Sequence, residues 1–143
     1  MPVINAKEIT GYLVPKPAER ELKIVLAPQL VNYDKATILL SLIPPGSSTG
    51  LHQHGSDEIM YIVSGEGEAV EIINGKETVT KVKPGYVIET TSGIQHEIKN
   101  TGSTTLELFA VFIPPLPAAG AIAEAINKAK EYYSKIFYGG LHV

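Results

Sequence analysis

The sequence predicts an all-β domain, an antiparallel sandwich or barrel, with one helix at its C-terminal end. About nine short strand-like runs are separated by turn residues at regular spacing, the pattern of small sandwiches and barrels. Asn74-Gly75 lies between two of these runs, and Asn-Gly is the preferred two-residue hairpin turn. After Pro117 the apolar residues change from strand to helix spacing.

In chain order, residues 1–20 are broken by Pro2, Pro15 and Pro17, and Gly11 to Val14 reads as a short edge strand that can pair with its own sheet or a partner's. Glu21 to Ala27 alternates polar and apolar before turning fully apolar, as a half-buried strand does. Lys35 to Ile43 is apolar on both faces, which suits a central strand between layers. Pro44-Pro45-Gly46 ends it, because neither proline can donate to a ladder. Glu58 to Ser64 is the next strand, and Gly65-Glu66-Gly67 is a tight bend. Glu68 to Ile73 and Lys76 to Val82 flank the Asn-Gly turn, with β-branched Thr78 and Val79 on the return. Pro84-Gly85 leads into Tyr86 to Thr90. Thr91-Ser92-Gly93 is the bend that sets Gln95 and His96 at the start of another strand. Asn100 to Ser103 turns the chain again, and Leu106 to Ile113 closes the sheet before Pro114-Pro115. Ile122, Ala125, Ile126, Ala129, Tyr133 and Ile136 then mark one apolar face of a helix over 118–138. Glu124–Lys128 and Glu131–Lys135 are favourably oriented pairs, each worth about 0.3 kcal/mol. Gly139-Gly140 is the expected terminator. Tyr132, Tyr133, Phe137 and Tyr138 make the helix end aromatic; packing, rather than a pocket lid, is the expected reason.

With 143 residues, 44% of them hydrophobic, the chain suits one domain, 1–143, with a full core. A net charge of −3 gives no general attraction to nucleic acid or anionic membrane. Lys128, Lys130 and Lys135 are offset by Glu124 and Glu131 and read as a solvated face. The absence of cysteine excludes disulfides and thiolate ligands, so any metal must take histidine, carboxylate and water. It also fits a cytoplasmic protein. No apolar run is long enough for a signal peptide at the N-terminus or for a membrane helix elsewhere.

Three of the four histidines fall in two glycine-punctuated segments. In extended backbone His52 and His54 face the same way, and Glu58 keeps even parity although Gly55-Ser56 reads as a turn. Two imidazoles and a carboxylate on one face make most of a divalent-metal site, and His96 is the candidate for the missing ligand. The donor set suits Fe, Mn, Ni, Cu, Zn or Co and leaves open positions for a substrate oxygen, water or O₂. Met60 and Ile62 share the face of Glu58, and Ile98 that of His96, so all three are candidates for the pocket beside the metal. Asp57 has the opposite parity and should face solvent. Glu89 is expected as an exposed charge, with entry into the cavity as the alternative, and His142 as a tail residue.

These segments resemble the two motifs of the cupin superfamily. The first runs Gly46, five residues, His52-x-His54, three residues, Glu58, six residues, Gly65; the second has Gly85, Gly93, two residues, His96, three residues, Asn100. Thr91 stands where the family usually has proline. The nineteen-residue spacer is that of small microbial cupins. The resemblance implies a jelly-roll barrel (strands over 35–115 carrying both motifs, after an N-terminal arm and strands over 1–34) with the metal held inside by His52, His54, Glu58 and His96. It also implies a small-molecule substrate or ligand and a homodimer, for which the arm offers a means. For activity it implies metal-dependent dioxygenase, isomerase, decarboxylase or lyase chemistry, dioxygenase marginally first, with Glu58 as ligand or catalytic base. A non-catalytic metal- or sugar-binding module is the alternative, since fold alone does not decide function.

Overall fold

The computed structural model of the chain describes residues 2–138; the expected terminator Gly139-Gly140 and His142 lie outside them. Nine strands in the described residues form two antiparallel sheets. One has six strands in the order β1 (Tyr12–Val14), β2 (Arg20–Leu26), β3 (Thr37–Ile43), β9 (Leu106–Ile113), β4 (Asp57–Ser64) and β7 (Val87–Thr90). The other has β6 (Lys76–Val82), β5 (Gly67–Ile73) and β8 (Gln95–Asn100). This is an all-β jelly roll followed by one helix, α1 (Gly120–Tyr138).

Alternation puts one face of the larger sheet inside. Its register aligns Leu22, Ser41, Leu108 and Ile62 in one inward row. Ile24, Leu39, Ala110 and Met60 make the next, and Thr37, Phe112, Glu58 and Thr90 a third. Nearly all of these residues are buried, at roughly 1.5–3 kcal/mol for each large aliphatic side chain. A carboxylate therefore sits in a row that is otherwise core. The short sheet turns Gly67, Ala69 and Glu71 inward against Asn100, Ile98 and His96. Asn100 closes this corner: its amide donates to the carbonyls of Ile43 and Thr104 at 2.8 Å, and its oxygen accepts from Gly102 N–H.

Both residues of the Asn-Gly turn take positive φ, Asn74 at 53° and Gly75 at 74°, which is the hairpin turn the dipeptide favours. Gly67 is required for another reason. Its backbone runs so close to β8 that a Cβ would collide with the Lys99 carbonyl and the Leu106 side chain.

The N-terminal arm is used within the chain, where β1 pairs with β2. Helix α1 lies across β1 and β2, burying Ala125, Ile126, Ala129, Tyr132 and Tyr133. Tyr133 donates its hydroxyl to the Val25 carbonyl, and burial pushes the phenol up to about 12. Tyr132 accepts from Asn5 N–H at 2.7 Å, so Tyr132 and Tyr133 serve packing. The Glu131–Lys135 pair forms at 3.6 Å on the exposed face, while Glu124 and Lys128 are not paired. No helix among the described residues is long and apolar enough to cross a membrane.

Replacing Gly67 with alanine should lower stability by about 1–3 kcal/mol, the cost of forcing extra volume into a packed contact. The denaturation midpoint in urea measures it, with Gly75→Ala as a turn-only comparison.

Candidate metal centre

Residues 46–52 belong to no named strand, yet they run antiparallel to β8 as an irregular fourth strand of the short sheet. Ser48 bridges Lys99 and His52 bridges His96. His52 N–H donates to the His96 carbonyl at 3.0 Å, and His96 N–H returns a bond to His52 at 2.8 Å. The two motifs, far apart in sequence, are thus joined main chain to main chain. The bend after β7 is fixed to the first motif as well. Gly93 N–H donates to the His54 carbonyl at 2.9 Å, and Ser92 N–H to the exposed Asp57 carboxylate at 2.9 Å. Glu58 reaches the same point from the opposite sheet, between Phe112 and Thr90.

One ligand atom from each of His52, His54, Glu58 and His96 falls within 4.8 Å of all the others. His54 Nε2 and His96 Nε2 both lie 3.1 Å from Glu58 Oε1. Every ring has its other nitrogen engaged: Nδ1 of His52 meets the Gly50 carbonyl at 2.7 Å, that of His54 the Ser56 carbonyl at 2.9 Å, and that of His96 the Ile94 carbonyl at 2.9 Å. A carbonyl oxygen only accepts, so each Nδ1 carries the proton and each neutral ring presents a bare Nε2. Three nitrogen lone pairs and a carboxylate then converge with no donor among them. Such a cluster requires something positive at its centre, either protons on the rings or a cation. The spacing fits a cation, because neighbouring ligands on a first-row ion with bonds of about 2.1 Å stand about 3.0–3.4 Å apart. Carbonyl bonds behind the rings are also the usual support of metal-bound histidine.

Burial drives the imidazole of His52 below its ordinary pKa, against the pull of the Gly50 carbonyl. Burial acts on His96 in the same direction but is outweighed by its bonds to Glu58 and the Ile94 carbonyl, so His96 is raised. Burial alone would raise Glu58; the two histidines reverse it and hold the carboxyl below its usual range.

A cavity of about 220 Å³ opens beside the cluster, and its wall is mostly apolar. Met60 and Ile98 line it; Ile62, one row further along β4, does not. Glu89 is exposed and takes a bond from the Thr91 hydroxyl. The wall also includes Arg20, Ser41, Thr49 and the first turn of α1 through Ala121 and Ile122, none of which sequence reasoning had singled out. The inward parity of Arg20 with Leu22 was the available signal, obscured because position 20 stood outside the expected strand.

A family model described as a cupin domain matches residues 39–112, half of the chain. The chain is a cupin. An oxalate-binding protein of Thermotoga maritima is 39% identical over 116 residues, spanning 78% of this cupin and 93% of the relative. An uncharacterized protein of Methanocaldococcus jannaschii is 32% identical over 95 residues, covering 66% and 73% of the two chains. Among solved structures, one described as a predicted oxalate decarboxylase from Thermotoga maritima superposes with a TM-score of 0.68 at 38% identity, covering 78% of this cupin and 98% of that chain. A double-stranded β-helix protein from Klebsiella pneumoniae, at a TM-score of 0.62 and 23% identity over 78% and 89% of the chains, shares the fold.

Where the rings are neutral the cluster is all acceptors, so above the imidazole range Glu58→Gln should cost the metal-free cupin little. Its amide gives a bare Nε2 a donor while removing the charge. Melting with a chelator present, above the imidazole range, should show a midpoint equal to or above that of the parent. A drop of several degrees would mean that protons on the rings already satisfy the carboxylate.

Proposed function

We propose that His52, His54, Glu58 and His96 hold one divalent transition metal, and that the cavity beside it receives a small carboxylate anion of the oxalate class. The convergence of four acceptors on one point carries the first half of this reading. The oxalate-binding relative supports the second. A bound divalent ion would supply Lewis acidity and open positions for two ligand oxygens. The chain supplies the rest. Carbonyls of Gly50, Ser56 and Ile94 orient the rings, and an apolar wall including Phe112 and Met60 keeps bulk water from the anion. Glu58 serves as a ligand rather than a free base, because Oε1 is the atom both rings approach.

Turnover is the second reading, favoured by the neighbour described as a predicted oxalate decarboxylase. It takes in the dioxygenase and decarboxylase chemistries expected from the family. The two readings share every ligand and differ in product. Protein prepared without oxygen should carry about one first-row metal per chain by elemental analysis. At ion concentrations about 100-fold above Kd, restoring the metal should add about 2.7 kcal/mol of stability. His96→Ala should abolish both effects while keeping the β circular-dichroism spectrum. Calorimetry of the metal-loaded protein should detect oxalate binding. Release of CO₂ or uptake of O₂ over a substrate screen separates enzyme from binding protein. A chain that takes up no ion from the six candidates would overturn the reading.

A homodimer belongs to the same proposal, by a different surface from the arm. Ile59, Tyr61 and Val63 on β4, Val87 on β7 and Ile113 on β9 are 42–64% exposed on one outer face of the larger sheet, next to Phe109 and Val111. Tyr61→Glu should turn a dimer into a monomer in light scattering while the metal content stays the same.

A further inference from the structure

Two polar side chains in the cavity wall are not among the four convergent ligands. Ser41 is 4% exposed, and among the described residues its hydroxyl is the buried side-chain oxygen or nitrogen without a hydrogen-bond partner. A buried hydroxyl left bare is costly, about 1–3 kcal/mol, and calls for a partner such as a bound water, ion or ligand. Arg20 faces the same cavity and is held there by one bond, Nη1 to the Ala18 carbonyl at 2.8 Å, which leaves its other N–H donors unassigned. Ser47 donates to the Glu19 carbonyl at 2.5 Å and so fastens the start of β2 beside the first metal-ligand segment.

The register places the Cα atoms of these two residues together and several rows from Glu58, while the long Arg20 side chain still brings its guanidinium near enough to feel the Glu58 charge. Ser41 pairs across the sheet with Leu22, and Arg20 lies two residues from Leu22 on the same inward face. That diagonal relation sets their Cα atoms about 7–8 Å apart. Ser41 pairs with Leu108, whereas Glu58 pairs with Phe112. Those four residues along β9 separate the two rows by about 13 Å of strand. An oxalate chelated at the cluster is too short to reach that far. It also has no apolar surface to set against Leu39 and Met60 in the intervening row, or Leu22 and Leu108 beside Ser41, all of which line the wall.

We propose that Arg20 and Ser41 form the far end of the ligand site, and that the occupant is a 2-oxo or 2-hydroxy acid whose short hydrocarbon chain ends in a second carboxylate. The head repeats the adjacent-oxygen chelate of oxalate, the chain lies along the apolar wall, and the tail carboxylate meets the Arg20 fork and the Ser41 hydroxyl. The cavity, at about 220 Å³, has room for more than oxalate. Arg20 acts here as a specificity-determining residue. The assignment rests on the metal site proposed above.

The test compares acids of equal length with and without the second carboxylate, by calorimetry on metal-loaded protein: malate against 2-hydroxybutanoate, and 2-oxoglutarate against 2-oxopentanoate. Metal content is first measured in each protein. At least one dicarboxylate should bind about tenfold or more tighter than its monocarboxylate partner, as a charged bidentate contact implies. Arg20→Met should bring that ratio close to one, Arg20→Lys should restore part of it, and Ser41→Ala should lower it severalfold, all at unchanged metal content. A wild-type ratio near one, or an Arg20→Met variant that weakens both members of a pair equally, would overturn the assignment and leave the metal site standing. Failure of wild-type protein to retain metal appears earlier, in the elemental analysis, and overturns both.

Discussion

The site depends on three hydrogen bonds that involve neither metal nor substrate. By donating Nδ1–H to the carbonyls of Gly50, Ser56 and Ile94, the imidazoles of His52, His54 and His96 are each fixed in one tautomer and one orientation. Their remaining lone pairs then have nowhere to point but toward each other and toward Glu58. A protein interior tolerates convergent acceptors only where a positive species completes them. In this sense the backbone, through its carbonyls, defines the charge the cavity must accept.

The jelly roll makes that arrangement available by bringing two sheets to one seam. Glu58 arrives from a strand paired on both sides, in a row it shares with Thr37, Phe112 and Thr90. The histidines arrive from the other side: His96 on β8, His52 on the irregular strand beside it, and His54 on the loop just after, where its carbonyl accepts from Gly93 N–H. The apolar rows behind Glu58 hold that side, while Asn100, Gly67 and the Asp57–Ser92 bond hold the other. Rigid support comes from strands, and only the far wall, at Ala121 and Ile122, is formed by the helix.

Much of this was legible in the sequence because it depended on local rules. Asn74-Gly75 demands positive φ at two adjacent residues, and Leu106–Ile113 is a strand bounded by proline; both lie where expected. The grouping of His52, His54 and Glu58 followed from period-two parity, which survived the turn at Gly55-Ser56 because His54 and Glu58 are fixed from different directions. What could not be read was set by pairing between distant strands. Arg20 and Ser41 reach the cavity only through the register of β2 on β3, and nothing in their own neighbourhoods announces it. Asp57 was rightly expected at the surface, but its bond to Ser92 depends on a tertiary approach that side-chain alternation does not encode. The arm could equally have joined another subunit; its pairing with β2 follows from the availability of that edge.

The reciprocal amide bonds between His52 and His96 do not depend on which side chains those positions carry. Exchanging an imidazole for a carboxylate or an amide would change the inner sphere while the scaffold kept its path. A frame of that kind separates chemistry from architecture. It lets substitution retune ion preference and reactivity one position at a time, which makes this barrel a practical starting point for redesigned catalysts.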